Sequence, residues 1–194
     1  MPLSRRRSSP AGTRPQIVAL LRAINVGGRI VTMDELRRLF VKLGFAGVET
    51  FIASGNVVFE SRATAGGALE KTIETGLQKA LGYEVKTFVR SGTEMAAIAA
   101  FTPFTPARWE AGATRVVGFL AGPLSKDARA ALMKLRGATD DFQVNGREIY
   151  WLSTLKQSES KISNVLLERT LKVSTTFRGI NTIHRLTAKY AFTP

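Results

Sequence analysis

The stretch QIVALLRAINVGGRIVTMDELRRLFVKLGFAGVETFIASGNVVFES, residues 16–61, decides the fold. Residues 16–24 are nearly all apolar, with Arg22 the one charge, and such a run reads as a central strand buried on at least one face. Asn25-Val26-Gly27-Gly28-Arg29 breaks it. A helix follows: Thr32 and Glu35 have capping-box spacing, in which each side chain can satisfy an orphan backbone N–H. Met33, Leu36, Leu39, Phe40 and Leu43 make one apolar stripe at helical spacing, and Gly44 suits a left-handed C-terminal cap. Residues 48–53 and 57–61 are short strand-like runs around Ser54-Gly55-Asn56, a tight-turn composition, so they predict a hairpin.

Working outward, Leu69, Ile73, Leu77 and Leu81 lie four apart and predict a helix over 68–81 that stops at Gly82. Residues 83–90 read as a strand, and Ser91-Gly92-Thr93-Glu94 offers a second capping box before a short helix to about residue 101. Strand, helix, strand, strand, helix, strand is the ferredoxin-like βαββαβ order. Residues 102–112, with two prolines and Trp109, read as a linker. The order then returns: a strand at 115–120, a helix capped by Ser125, and strands 142–144 and 148–152 around Asn145-Gly146, a strong hairpin signal. A helix at 161–171, a strand at 173–177 and a helix at 182–190 close the set. The expectation is an α+β protein with two βαββαβ-like subdomains in tandem, residues 16–101 (ferredoxin-like) and 113–194, behind a basic tail at 1–15.

Several segments are familiar together. Ala19-Leu20-Leu21-Arg22-Ala23-Ile24-Asn25-Val26-Gly27-Gly28, Met33-Asp34-Glu35-Leu36-Arg37 and Thr50-Phe51-Ile52-Ala53-Ser54-Gly55-Asn56-Val57-Val58-Phe59 are joined by Ser160-Lys161-Ile162-Ser163-Asn164 and Asn181-Thr182. Over about residues 16–190 the chain resembles a bacterial family catalogued as domain of unknown function 1697. It departs from that family at Ala23, where glycine is usual, at Thr32, where proline often precedes the methionine, and over 177–180. The resemblance implies two α+β subdomains, the first ferredoxin-like, and carries no activity with it.

Composition narrows the function. In 194 residues, 44% hydrophobic and 22% charged content is near globular averages and excludes a mostly disordered chain. No apolar window approaches a transmembrane length. Zero cysteines exclude disulfides, thiolate metal sites and cysteine nucleophiles, and a single histidine, His184, leaves zinc sites and Ser-His-Asp triads almost nothing to draw on. Arg5-Arg6-Arg7 is followed by Ser-Ser-Pro-Ala-Gly-Thr and not by the apolar stretch of a signal sequence, which predicts a cytoplasmic protein. The net charge of +13 is uneven: +4 over residues 1–15, +2 over 16–101, zero over 102–112 and +7 over 113–194. A field of this sign favours anionic partners.

Two candidate sites follow. In a βαββαβ unit the loop after the first strand and the turn between the second and third strands share one end of the sheet. Arg22, Asn25, Gly27, Gly28, Arg29, Ser54, Gly55 and Asn56 would therefore meet at one rim, where free N–H groups and arginines can accept a small anionic or phosphorylated ligand. The plainer reading is that the glycines serve positive φ, the asparagines bond to their own turns, and Arg22 pairs with Glu60 or Glu84. Neither a phosphate-loop nor a dinucleotide signature is present, so no cofactor is predicted.

The alternative is sequence-independent nucleic-acid binding through the tail with Lys161, Lys172, Arg178, Arg185 and Lys189, against which stands an ordinary solvated basic face. The third strand of the βαββαβ unit, Asn56-Val57-Val58-Phe59-Glu60-Ser61, lacks the aromatic platform of RNA-recognition domains. Asp140-Asp141 could hold Mg²⁺ but fits a turn, and Ser54 or Ser160 has no evident base, so an enzyme is the weakest reading.

Overall fold

In the computed structural model, which describes residues 15–25, 28, 30–52 and 55–194, the opening apolar run becomes β1 (Gln16–Leu21). It ends three residues earlier than the apolar run because the chain turns left-handed at Ala23, φ 56°. Next come α1 (Met33–Lys42), β2 (Ala46–Phe51), β3 (Asn56–Glu60), α2 (Gly67–Leu81), β4 (Thr87–Ser91) and α3 (Gly92–Ala100). After a short α4 (Pro106–Glu110) the order repeats as β5 (Thr114–Phe119), α5 (Lys126–Met133), β6 (Asp140–Asn145), β7 (Glu148–Ser153), α6 (Asn164–Leu171), β8 (Thr176–Gly179) and α7 (Ile180–Lys189). The strands make two four-stranded antiparallel sheets, ordered β2-β3-β1-β4 and β6-β7-β5-β8.

Several boundaries differ from the sequence reading for local reasons. The segment expected as a linker contains α4, started by Pro106, whose fixed φ suits a first helical position. The strand expected from residue 83 begins at Thr87, whose N–H donates to the Glu74 side chain at 3.0 Å and so is committed before the ladder starts. The strand expected at 173–177 begins at Thr176, because Lys172 ends α6 in a left-handed turn and the Thr175 N–H goes to Glu168 at 2.8 Å. The helix expected from residue 161 starts at Asn164, where the Ser163 side chain accepts the Leu166 N–H.

The near-continuous hydrophobicity of β1 has a direct cause: both of its faces are buried. Ile17, Ala19 and Leu21 pack under α1 and α2 with Leu36, Phe40, Ile73 and Leu77. Val18 and Leu20 point the other way, into a core shared by both sheets. There they meet Val117, Phe119 and Tyr150 of the second sheet, with α3 (Met95, Ile98) and α7 (Ile180, Ile183, Leu186) filling the same layer. A third cluster packs α5 and α6 on the far face of the second sheet around Phe142, Trp151 and Leu167. The inner face of each sheet is therefore covered by the other and by α3 and α7, which closes the sheet surface that an RNA-recognition domain would use. The chain enters and leaves this body at one place: Pro15 and Gln16 line the same hollow of about 320 Å³ as residues 190–193. Among the described residues, no helix is long and apolar enough to cross a membrane.

Candidate anion site at the rim of the first sheet

The end of β1 and the β2–β3 turn do share a rim. The Leu21 N–H donates to the Gly55 carbonyl at 2.8 Å, and Leu20 lies opposite Asn56 in the ladder. Gly55 sits at φ +70°, and a Cβ there would come within 2.9 Å of the Ile24 Cγ2, so both conformation and space require glycine. Asn25 closes its own loop: its Oδ1 accepts the Val31 N–H at 2.7 Å and its Nδ2 donates to the Val31 carbonyl at 3.3 Å. Gly28 is exposed at φ +79°. Gly27, Arg29 and Ser54 lie outside the described residues. Two residues with side chains also take left-handed φ at this rim, Ala23 at 56° and Ile52 at 49°.

Arg22 does not pair with Glu60 or Glu84. Its Nε and Nη2 donate to the two carboxylate oxygens of Glu168, on α6, at 2.7 and 2.5 Å. The pairing crosses from one sheet's loop to the other sheet's helix, a distance of 146 residues along the chain, and follows from how the sheets stack.

The larger correction concerns Arg178. Placed on a basic surface by the sequence reading, it is only 7% exposed and cannot contact a nucleic-acid backbone. Its guanidinium plugs the rim from within: Nε donates to Asn56 Oδ1 at 2.6 Å and Nη2 to the Leu21 carbonyl at 2.9 Å. Nη1 donates to Thr176 Oγ1 at 2.8 Å and to the Phe177 carbonyl at 2.9 Å. Asn56 is thus fully buried and also bound to the Phe51 carbonyl at 3.0 Å, so it supports the rim from below and does not face a ligand. Every acceptor around Arg178 is neutral, and among the described residues no carboxylate pairs with it. Burial pushes its pKa down to about 10, which still leaves it charged at neutral pH.

The opposite rim holds a counterpart. Arg90, in the same penultimate position of β4 that Arg178 holds in β8, is wholly buried. Its Nε donates to Glu148 Oε1 at 2.7 Å and its Nη2 to the Leu120 carbonyl at 2.9 Å. The Leu120 N–H in turn donates to the Arg147 carbonyl at 3.0 Å, as Leu21 does to Gly55. Each sheet's last strand sends an arginine into the other sheet's rim. Where the first rim has Asn56, the second has the carboxylate of Glu148, and Arg147 there is paired with Glu94 at 2.6 Å. The second rim is charge-neutral, whereas the first carries the surplus charge of Arg178. Local sequence patterns gave no signal for these arginines; aligning the two copies of the element order would have shown Arg90 and Arg178 at matching positions.

The remaining candidates are mostly engaged. Lys189 pairs with Glu49 at 2.9 Å, and Arg185 lies 5.9 Å over the Phe51 ring. Lys161 and Lys172 are exposed. His184 is exposed and contacts the Ala99 carbonyl at 3.1 Å. Asp140 and Asp141 are not a turn but the buried start of β6. Burial opposes the charge on Asp140, but hydrogen bonds from Thr139, Trp151, Ser153 and Ser160 outweigh it and hold the carboxyl below its usual value. Asp141 pairs with Arg136 and with Arg108. Among the described residues, no group of three or more acidic or histidine side chains is placed to hold a metal ion.

The comparisons with known proteins agree on fold and stop short of an activity. The chain matches, with 24% identity and a TM-score of 0.72, the solved structure of a conserved bacterial protein from Streptococcus pneumoniae, covering 92% of this chain and 99% of that one. At that identity the likeness shows the fold alone. No curated protein matches the chain. A family model described as a protein of unknown function, DUF1697, matches residues 15–150. The chain belongs to the DUF1697 family of proteins of unknown function.

Proposed function

We propose that the protein binds a small anionic ligand, such as a phosphorylated metabolite, at the rim made by the β1–α1 loop and the β2–β3 turn. One observation carries the reading: this rim holds a buried arginine with only neutral partners, while its counterpart on the other sheet is neutralised by Glu148. A charge in a low-dielectric setting is felt more strongly at nearby surface positions than one in water. Arg22, part-exposed, and the exposed Gly28 of the β1–α1 loop supply the outer wall of the site, and Arg29 adds a positive charge to that loop's sequence. The nucleic-acid reading keeps Lys161 and Lys172 but loses Arg178 to the interior and Lys189 to Glu49.

The test is a thermal-shift screen of nucleotides and phosphorylated metabolites on the parent and on an R22A/R29A double variant. A ligand present at 100 times its Kd is expected to stabilise the parent by about 2.7 kcal/mol and the variant by much less. Equal stabilisation of both proteins, or none of either by any compound, removes the reading.

A further inference from the structure

The Arg22–Glu168 pair carries the rim reading one step further, and the inference rests on that reading. Glu168 reaches the rim from α6. Its Oε1 accepts from Arg22 Nε at 2.7 Å and from the Thr175 N–H at 2.8 Å, and its Oε2 accepts from Arg22 Nη2 at 2.5 Å. A planar two-oxygen anion is thus held edge-on by a guanidinium and steadied by a backbone N–H. This is the geometry by which arginine recognises free carboxylates and phosphates.

We propose that Glu168 is an internal substitute for the ligand: its carboxylate occupies the oxyanion position beside Arg22, and a ligand oxyanion binds by displacing it. The ligand class is one that presents two oxygens to a single guanidinium edge, a carboxylate or a phosphate group. Displacement is feasible here because the pair is part-exposed, with side chains 33% and 17% exposed, and the incoming oxyanion takes over the buried Thr175 N–H that Glu168 gives up. The Arg90–Glu148 pair at the other rim, 1% and 10% exposed, has no such exit. Occupation of the rim also has a mechanical result: it releases α6 from the loop after β1, one of the ties between the two sheets.

An internal competitor lowers apparent affinity by the fraction of molecules in which it has vacated the site. With Glu168 in place in nine molecules of ten or more, removing it tightens binding about tenfold or better. The experiment titrates the parent, E168A, E168Q, R22A and the E168A/R22A double variant with inorganic phosphate and, separately, with acetate. Ionic strength is held constant with sodium chloride and binding is followed by NMR shifts. E168Q keeps the volume and a hydrogen bond, so it serves if E168A folds poorly.

The expected result is at least a tenfold gain in affinity for one of the two anions in E168A and E168Q, lost again in E168A/R22A. If both Glu168 variants bind no tighter than the parent while R22A binds more weakly, Glu168 is only a tie between the sheets; the proposal falls and the rim reading stands. If R22A binds as well as the parent, or no protein binds either anion, the rim reading falls and takes the proposal with it.

Discussion

Ala23 carries a conformational cost that its position makes measurable. Its φ of 56° belongs to the left-handed region, where a Cβ crowds the following carbonyl at roughly 1–2 kcal/mol. Glycine would remove that cost but give back about 0.5–1 kcal/mol of unfolded-state entropy. The first term wins: Ala23→Gly is expected to raise the urea midpoint at an unchanged m-value, by a net stabilisation of roughly 0.5–1 kcal/mol. Ile52, at φ 49° and branched at Cβ, is the less comfortable of the two strained residues at this rim. Arg22 illustrates the reach of residue-scale reading. Its place at the rim was legible from the run ending at Ile24 and the break after it. Its partner was not, because Glu168 is local to Arg22 only once the two sheets have stacked.

At the scale of elements, cap chemistry was legible and strand ends were not. Ser91 and Glu94 form a full reciprocal capping box at α3, as their spacing implies, whereas at α1 the expected box is represented by one arm, the Thr32 hydroxyl accepting the Glu35 N–H. Thr87 and Thr176 open their strands where they do because the Thr87 and Thr175 N–H groups are claimed by the Glu74 and Glu168 carboxylates of the preceding helices, a contact that hydrophobic periodicity does not encode. β5 offers a sharper case. Gly118 lies opposite Phe177 in the ladder, and the ring folds across it: a Cβ added there would meet ring atoms at 2.5 and 2.7 Å. An aromatic covering a strand glycine restores the packing that glycine lacks. Gly118→Ala is therefore expected to cost about 1–3 kcal/mol despite alanine's better backbone entropy, since the rigid ring and not a flexible chain end must move. Chemical denaturation of that single variant decides it; a neutral or stabilising result would show that Phe177 can turn away.

For the molecule as a whole, the two buried arginines tie the sheets together more specifically than the shared apolar core does. Arg90→Met removes one partner of a buried pair and leaves Glu148 uncompensated, an expected loss of about 3–5 kcal/mol. Adding Glu148→Leu removes the orphaned charge, so the double variant is expected to recover most of that loss. A double variant as unstable as the sum of its two single variants would mean the pair contributes through independent contacts. The general architecture, two α+β repeats of one element order, was legible from hydrophobic periodicity and turn residues. The arginine exchange was not, because it depends on the inner faces of the sheets meeting, and alternating apolar residues say that a face is buried without saying against what.

The hollow shared by Pro15 and residues 190–193 has a consequence for chain connectivity. With residues 15 and 193 side by side, the folded body they bound is topologically close to a ring, and the place where that ring is cut is expected to be largely arbitrary. A circularly permuted protein, with residues 15 and 193 joined by a few glycines and new termini opened within 102–112, is expected to fold to the same structure. In it the second repeat would be synthesised first, and the two guanidinium plugs would still find their opposite sockets.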